Sequence, residues 1–210
     1  MNTFINISGV YNDEGWVLPA TQTLDMSNLQ GCCCYCDPEA EAALREAIAP
    51  MPLSGMHWID TGDYHYLSKL WMEKITEPFV LALFDNHTDD QATAFGSLLS
   101  CGSWVLSARE ELPLMKADYL NTSEIPGDLP VYLSIDLDVL SPEYARTDWD
   151  QGSLSLSDLT DALGRIAFSH RIIGADICGG LTPAKGASAG DLKLNYKTKT
   201  LLKTFLSQLL

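Results

Sequence analysis

Short, almost continuous apolar runs recur along this chain, and segments with helical periodicity separate them. The runs VLALF at 80–84 and RIIGADI at 171–177 consist mainly of apolar residues and leave little room for a solvent-facing side. Strands of this kind are typical of parallel sheets that are covered by helices on both faces. The alternation therefore predicts an α/β fold, namely a three-layer α/β/α sandwich around a mostly parallel sheet.

The individual elements can be predicted from the same pattern. Strands are expected at residues 3–10, 56–60, 79–84, 104–107, 131–135 and 172–177. Helices are expected at residues 38–48, 67–75, 157–168 and 196–209. The first helix has the clearest start, because Asp37 suits the N-cap position and Pro38 the first helical position. A length of 210 residues without an internal repeat or a shift in composition predicts one domain over residues 1–210.

Charge and hydropathy exclude several functional classes. The 28 acidic residues outnumber the 13 basic residues and give a formal net charge of -15, which repels nucleic-acid phosphates and anionic lipids. No apolar run reaches the roughly 18–20 residues of a membrane span, and residues 1–16 lack the basic start and the apolar stretch of a signal peptide. We therefore expect a small-molecule substrate as the partner, and neither a nucleic acid nor a membrane.

The cysteines are unevenly distributed. Four of the six crowd together as Cys32, Cys33, Cys34 and Cys36. Thiols so close in sequence cannot link distant parts of a fold, which favours reduced cysteines in a cytoplasmic protein. Four interpretations of the cluster stay open: a structural zinc site, a redox pair of Cys33 and Cys36, a short buried strand, and a border of the functional cleft. A zinc site usually needs a second ligand pair, and the sequence shows only one.

Acidic and imidazole side chains follow the predicted strands at the points where ligands bind in α/β folds. Six of them are candidate metal ligands: His65, Asp85, His87, Asp89, Asp136 and Asp138. Side chains of an extended segment alternate with a period of two, so Asp85, His87 and Asp89 face one side. The spacing of Asp136 and Asp138 is the same. A lone Asp-x-His-x-Asp is often only a helix cap with surface polar residues, but the combination at buried strand ends favours a metal site.

The charges of this set match two metal ions. Its four carboxylates carry -4 and two divalent cations carry +4. Oxygen and imidazole ligands suit Mn²⁺, and also Zn²⁺, Fe²⁺ or Ni²⁺. Carboxylates that bridge two ions roughly 3.5–4 Å apart are common in two-metal hydrolases. The pattern therefore predicts a binuclear metal site.

Three segments, in this order, resemble motifs of the arginase/agmatinase/formiminoglutamase (ureohydrolase) superfamily. They are Gly62-Asp63-Tyr64-His65, Phe84-Asp85-Asn86-His87-Thr88-Asp89, and the stretch SIDLDVLSP at 134–142. The resemblance implies an α/β/α fold with two Mn²⁺ ions. One ion would be held by His65, Asp85, Asp89 and Asp136, and the other by Asp85, His87, Asp136 and Asp138. It further implies that a hydroxide bridging the ions attacks a guanidino, amidino or amide carbon. Asp138 would hydrogen-bond that hydroxide and is therefore a candidate catalytic residue.

Two positions depart from the family pattern. Cys178-Gly179-Gly180 stands where the family carries the Glu that grips the guanidinium group. Cys101 stands where the family carries its proton-shuttle histidine, which makes Cys101 the second candidate catalytic residue. As a nucleophile, Cys101 would need a nearby base, and the sequence identifies none. The expected activity is thus hydrolysis of a non-peptide carbon–nitrogen bond in a small molecule other than arginine.

Two alternatives stay open. A metal-binding but catalytically silent relative would account for the missing Glu and His. A single-zinc amidohydrolase related to deacetylases would leave His65, Asp89 and Asp138 without a role. The metal content separates these two, since the first keeps two ions and the second one. The resemblance also allows a homo-oligomer, for which the sequence shows no specific interface.

Overall fold

A computed structural model describes residues 1–93, 96 and 98–210. The strands of this described part are Asn2–Asn6 (β1), Thr23–Asp25 (β2), Tyr35–Cys36 (β3), Met56–Trp58 (β4), Phe79–Phe84 (β5), Leu99–Ser100 (β6), Met115–Leu120 (β7), Val131–Asp136 (β8) and Ile172–Cys178 (β9). Its α-helices are Val10–Asp13 (α1), Pro38–Ile48 (α2), Leu67–Met72 (α3), Trp104–Glu111 (α4), Leu156–Ser169 (α5) and Ala189–Leu206 (α6).

The main sheet of the described residues contains seven strands in the order β2-β1-β4-β9-β8-β5-β7. Every neighbouring pair in it is parallel, which confirms the predicted fold class. A separate antiparallel pair joins β3 to β6. Because all strands of the main sheet point the same way, their carboxyl ends lie at one edge, and β4, β9, β8 and β5 are neighbours there.

Two hydrophobic cores lie on opposite faces of this sheet. Along β5, Leu81 and Leu83 belong to one core, whereas Val80, Ala82 and Phe84 belong to the other. This is the period-two alternation of a strand that is buried on both sides. The first core contains side chains of α2, α3 and α4, and the second contains those of α1, α5 and α6. The molecule is therefore a three-layer α/β/α sandwich.

Most of the predicted elements are present, and local signals set their ends. The Asp37 side chain accepts a 2.8 Å hydrogen bond from the Ala40 amide and caps α2, as predicted. The last helix begins at Ala189 and not at residue 196, because Ser188 and Asp191 form a capping box. Strand β1 ends at Asn6, before residue 10, because the chain turns at Gly9 with φ +85° into α1.

One predicted strand was wrong. Residues 104–107 form the start of α4, which spans Trp104–Glu111. The apolar run there is too short to separate a strand from a helix by periodicity, and the helix formers Ala108, Arg109 and Glu110 follow it. Strand β7 was missed, because it is an edge strand whose side chains are mostly half-buried or exposed. In the described part of the chain, every helix is too short or too polar to cross a bilayer.

Candidate metal centre

The six predicted ligands come together at the carboxyl edge of the sheet. Asp85 follows β5 and Asp136 ends β8, and the pairing of Phe84 with Ile135 places these two positions side by side. Asp138 lies in a 3₁₀ turn at Leu137–Val139, and His65 directly follows another at Gly62–Tyr64. Strand register therefore gathers residues that are as much as 73 positions apart in the sequence.

His65 faces three carboxylates with one ring nitrogen. Its Nδ1 lies 3.0 Å from Asp85 Oδ2, 3.1 Å from Asp89 Oδ2 and 3.6 Å from Asp136 Oδ2. Nδ1 is buried and makes no hydrogen bond of good geometry to these oxygens. A buried nitrogen surrounded by carboxylate oxygens is the arrangement expected of a metal ligand.

A second group of ligand atoms adjoins the first. His87 Nδ1 lies 2.8 Å from Asp138 Oδ2 and 3.5 Å from Asp85 Oδ1. Asp85 Oδ1 also accepts a 2.6 Å hydrogen bond from the His87 amide, and Asp138 Oδ1 accepts one of 3.0 Å from the Asn86 amide. Asp85 therefore belongs to both groups, with one oxygen turned to each.

A hydrogen-bonded chain behind His65 sets its orientation. Nε2 of His65 lies 2.9 Å from the Ser134 hydroxyl, which donates a 2.7 Å hydrogen bond to Asp176 Oδ1. Because Ser134 donates to Asp176, its oxygen accepts the Nε2 proton, and Nδ1 keeps its lone pair for the centre. Ser134 and Asp176 are fully buried. The structure thus places Asp176 behind His65.

Trp104 is a contributor that the sequence reasoning missed. Its indole N–H donates a 2.6 Å hydrogen bond to Asp89 Oδ2, and its ring lies 4.9 Å from the His65 ring. Asp89 itself has φ +48°, a left-handed conformation that is costly for a residue other than glycine. The Val105 amide bonds the Asp89 carbonyl at 3.0 Å and holds this conformation. The start of α4 thus anchors Asp89.

The buried carboxylates cannot all be ionised without added positive charge. Burial, with the charge of Asp85, raises the pKa of Asp136 to about 6. Burial, with the charges of Asp136 and Asp85, raises the pKa of Asp138 to about 10. For Asp85, burial raises the pKa, but the adjacent His65 and His87 outweigh it and lower the pKa. Divalent cations would remove this repulsion, so the oxygen and imidazole donors fit a divalent metal site.

Cys178 begins the Cys178-Gly179-Gly180 segment, at which the sequence departs from the motif pattern that it resembles. Its thiol is buried and donates a 2.9 Å hydrogen bond to Asp136 Oδ2. The next residue, Gly179, has φ +100°, and a Cβ atom there would lie 2.8 Å from Asp136 Oδ1. This segment therefore packs directly against the metal centre and carries no carboxylate toward the pocket.

Cys101 lines the pocket over the centre, together with Gln91, Gly102 and Trp149. Burial, with the charge of Asp89, raises the pKa of the Cys101 thiol to about 12. The thiol is therefore protonated at neutral pH, which does not favour attack by a thiolate. A role of Cys101 in moving a proton stays a prediction.

A network of ion pairs and hydrogen bonds lies along one side of this pocket. Lys185 binds the carboxylates of Asp63 and Asp148, the second at 2.6 Å. The indole N–H of Trp149 donates a 3.2 Å hydrogen bond to Asp63 Oδ1, and its ring lies 5.9 Å from the His87 ring. Asp63 and Trp149 thereby join the pocket wall to the turn that carries His65.

The other two histidines lie outside the centre. His57 is buried and stacks on Trp71 at 3.6 Å between ring centroids, and its Nδ1 lies 3.0 Å from the Tyr132 hydroxyl. His170 contacts the carbonyls of Ile125 and Leu129. Both histidines bridge secondary-structure elements.

Comparisons with known proteins agree with the fold. No family model matches the chain. An uncharacterized protein of Thermotoga maritima is 31% identical over 194 residues, which cover 83% of this chain and 78% of that protein. A hypothetical agmatinase from Burkholderia thailandensis aligns with a TM-score of 0.62 and 18% identity over 83% of this chain and 68% of its own. Proclavaminate amidino hydrolase from Streptomyces clavuligerus aligns at 0.64 and 14% over 82% and 71%. The T. brucei arginase-like protein aligns at 0.63 and 14% over 98% and 86%.

Proposed function

We propose that this chain is a metal-dependent hydrolase with a binuclear centre. It belongs to one family with the uncharacterized protein of Thermotoga maritima and has the arginase fold of the ureohydrolase superfamily. Its reaction is hydrolysis of a non-peptide carbon–nitrogen bond in a small molecule. The ions are Mn²⁺ by the chemistry of the ligands, although Zn²⁺, Fe²⁺ and Ni²⁺ suit the same donors.

One observation carries this proposal. Two groups of potential ligands, His65 with Asp85 and Asp89, and Asp85 with His87 and Asp138, each gather their ligand atoms within 4.8 Å. The shared residue is Asp85, which has one oxygen in each group. A carboxylate shared in this way is the arrangement that bridges two ions. A mononuclear site would need only one of the two groups.

Asp136 and Asp138 would have different roles in the reaction. Asp136 lies beside both groups, because its Oδ2 is 3.6 Å from His65 Nδ1 and its Oδ1 accepts the Asp138 amide at 2.8 Å. When bound, the ions would activate water and polarise the bond to be cleaved. Asp138 pairs with the partly exposed His87 and lines the pocket, and it is the residue that we assign to proton transfer.

Substrate recognition should differ from that of an arginase. The segment at Cys178 offers a thiol that is already engaged with Asp136, and it offers no carboxylate to a guanidinium group. The side chains at the pocket mouth are instead those of Gln91 and Trp149. The substrate is therefore a small molecule that these groups can bind, and arginine is not the expected one. The missing carboxylate also favours the second candidate function, that of a metal-binding relative without activity.

The deciding experiment is a measurement of metal content by mass spectrometry after re-equilibration with Mn²⁺. Close to two ions per chain would support the binuclear centre, and about one ion would indicate the single-zinc type of amidohydrolase. No bound ion would contradict metal binding altogether.

A panel of guanidino, ureido and formimino compounds then separates an enzyme from a silent relative. Asp138→Asn should reduce any turnover more than a hundredfold, whereas the exposed Asp161→Asn should leave it unchanged.

A further inference from the structure

A further group of potential ligands, separate from the two groups of the metal centre, lies at the rim of the pocket. Cys33 Sγ and Cys34 Sγ are 4.0 Å apart, and both face the carboxylate of Asp63. Cys33 Sγ lies 3.5 Å from Asp63 Oδ2, and Cys34 Sγ lies 3.3 Å from Asp63 Oδ1. These residues do not belong to the set of six ligands described above, and the proposed function gives the two cysteines no role.

The backbone holds this group together. The Cys34 amide donates a 3.2 Å hydrogen bond to the Asp63 carbonyl, and the Cys34 carbonyl accepts one of 2.9 Å from the Cys101 amide. Cys34 has φ +58°, so a strained residue stands at the centre of the group. The pairing of Tyr35 with Ser100 places Cys101 directly opposite Cys34.

We propose that Cys33, Cys34 and Asp63 form a zinc site that is separate from the binuclear centre. Zinc binds thiolate sulfur at about 2.3 Å and carboxylate oxygen at about 2.0–2.2 Å in tetrahedral geometry. Such bonds place two sulfurs about 3.8 Å apart and a sulfur and an oxygen about 3.5 Å apart. The sulfurs are 4.0 Å apart, and each lies near a different oxygen of Asp63, at 3.5 Å for Cys33 and 3.3 Å for Cys34. An ion between the sulfurs and this carboxylate needs only small adjustments.

Charge and ligand type are consistent with this ion. Binding replaces the protons of Cys33 and Cys34, which pass to solvent. With two thiolates and the Asp63 carboxylate the ion leaves a charge of -1, and the Lys185 ammonium, which Asp63 shares with Asp148, lies beside it. Thiolates select zinc over Mn²⁺, whereas the oxygen-rich centre next to it favours Mn²⁺. The two sites of one chain can therefore bind different metal ions.

The ion would tie together segments that are far apart in sequence. Asp63 lies in the 3₁₀ turn that leads to His65, and Trp149 donates to Asp63 from the opposite wall. An ion at this site would link residues 33–34 to that turn. We expect Zn²⁺ to raise the melting temperature of the Mn²⁺-loaded protein by several degrees, because it binds only the folded arrangement.

Co²⁺ is the probe that tests the site directly. Thiolate ligands give Co²⁺ an intense charge-transfer absorption in the near ultraviolet, and oxygen and imidazole ligands do not. Mn²⁺-loaded protein titrated with Co²⁺ should develop this band with about one ion per chain. Cys33→Ser/Cys34→Ser should abolish both the band and the thermal shift by Zn²⁺. The matched control is Cys32→Ser, since the Cys32 thiol contacts the Leu29 carbonyl instead and its loss should leave both unchanged.

Two results would overturn the proposal. One is the absence of a thiolate band in the wild-type protein. The other is a band that survives Cys33→Ser/Cys34→Ser and disappears in Cys178→Ser, which would assign it to the thiol beside Asp136. If the double variant does not fold, the single variant Cys33→Ser at the exposed position should still weaken Co²⁺ binding at least tenfold. The test does not depend on turnover, so it is independent of the proposed hydrolase activity.

Discussion

The Ser134 hydroxyl lies 2.9 Å from Nε2 of His65, and this contact leaves Nδ1 as the nitrogen that faces the carboxylates of the centre. Ser134 is on β8, and His65 follows the turn after β4. The two strands are not neighbours, because β9 lies between them and supplies Asp176 to the same chain of hydrogen bonds. The orientation of one ligand therefore depends on three strands.

Replacing Ser134 should weaken metal binding without removing a ligand. Ser134→Ala deletes the acceptor of the Nε2 proton, so the imidazole loses its fixed orientation. Partners of this kind are typically worth roughly 10–100-fold in metal affinity, and we expect a loss of that size for Mn²⁺ by isothermal titration calorimetry. Ser107→Ala is the control, since its buried hydroxyl bonds the Ser103 carbonyl, away from the metal centre. Equal affinities of the two variants would contradict the role of Ser134.

Trp104 should stabilise the fold through its hydrogen bond to Asp89. Trp104→Phe keeps an aromatic ring but removes the N–H, and a hydrogen bond to a charged group is worth about 1.5–3 kcal/mol. We expect the free energy of unfolding to fall by about this amount more than in Trp71→Phe, measured by urea denaturation of metal-free protein. The Trp71 indole N–H is buried and has no hydrogen-bond partner among the described residues, so its loss carries no such cost. Equal effects would show that the bond to Asp89 contributes nothing.

Gly179 should tolerate no side chain. Its φ of +100° alone costs an L residue about 1–2 kcal/mol, and a Cβ atom would also lie 2.8 Å from Asp136 Oδ1 and 2.9 Å from the Leu137 amide nitrogen. Gly186 also has φ +100°, but nothing lies within 4 Å of a Cβ atom there. The difference in unfolding free energy between Gly179→Ala and Gly186→Ala therefore measures the close approach alone. We expect Gly179→Ala to be the less stable by more than about 1 kcal/mol, an overpacking cost, and to bind Mn²⁺ more weakly.

His57 should make the fold sensitive to acid. Burial lowers its pKa from 6.5 to about 3, so the folded state holds His57 neutral while the unfolded chain takes up a proton below about pH 6.5. The stabilisation is complete above that pH and is lost as the pH falls toward 3. Between pH 6 and 4, wild-type stability should fall more steeply than that of His57→Gln, by about 1.4 kcal/mol per pH unit.

The acid titration should be measured as urea unfolding of both proteins in the presence of a chelator. The carboxylates of the metal centre titrate in both proteins, so the difference between the two curves isolates His57. Parallel curves would show that His57 takes up its proton equally in the folded and unfolded states. The stacking of His57 on Trp71 would then be its only contribution.

The sequence by itself determined the fold class and the candidate ligands. Buried strands need continuous apolar runs, and a period of two places Asp85, His87 and Asp89 on one side of an extended segment. Both properties are local, so they can be read from neighbouring residues. The capped helix at Asp37 was predictable for the same reason.

Only the tertiary structure decided what surrounds those ligands. Strand order places Ser134 and Asp176 behind His65, and the helix at Trp104, which was predicted as a strand, anchors Asp89. The thiols of Cys33 and Cys34 meet a carboxylate about thirty positions away. Such contacts join segments whose separation in space depends on strand register and on packing of the whole sheet. Local propensity carries no information about either, because it describes one segment at a time.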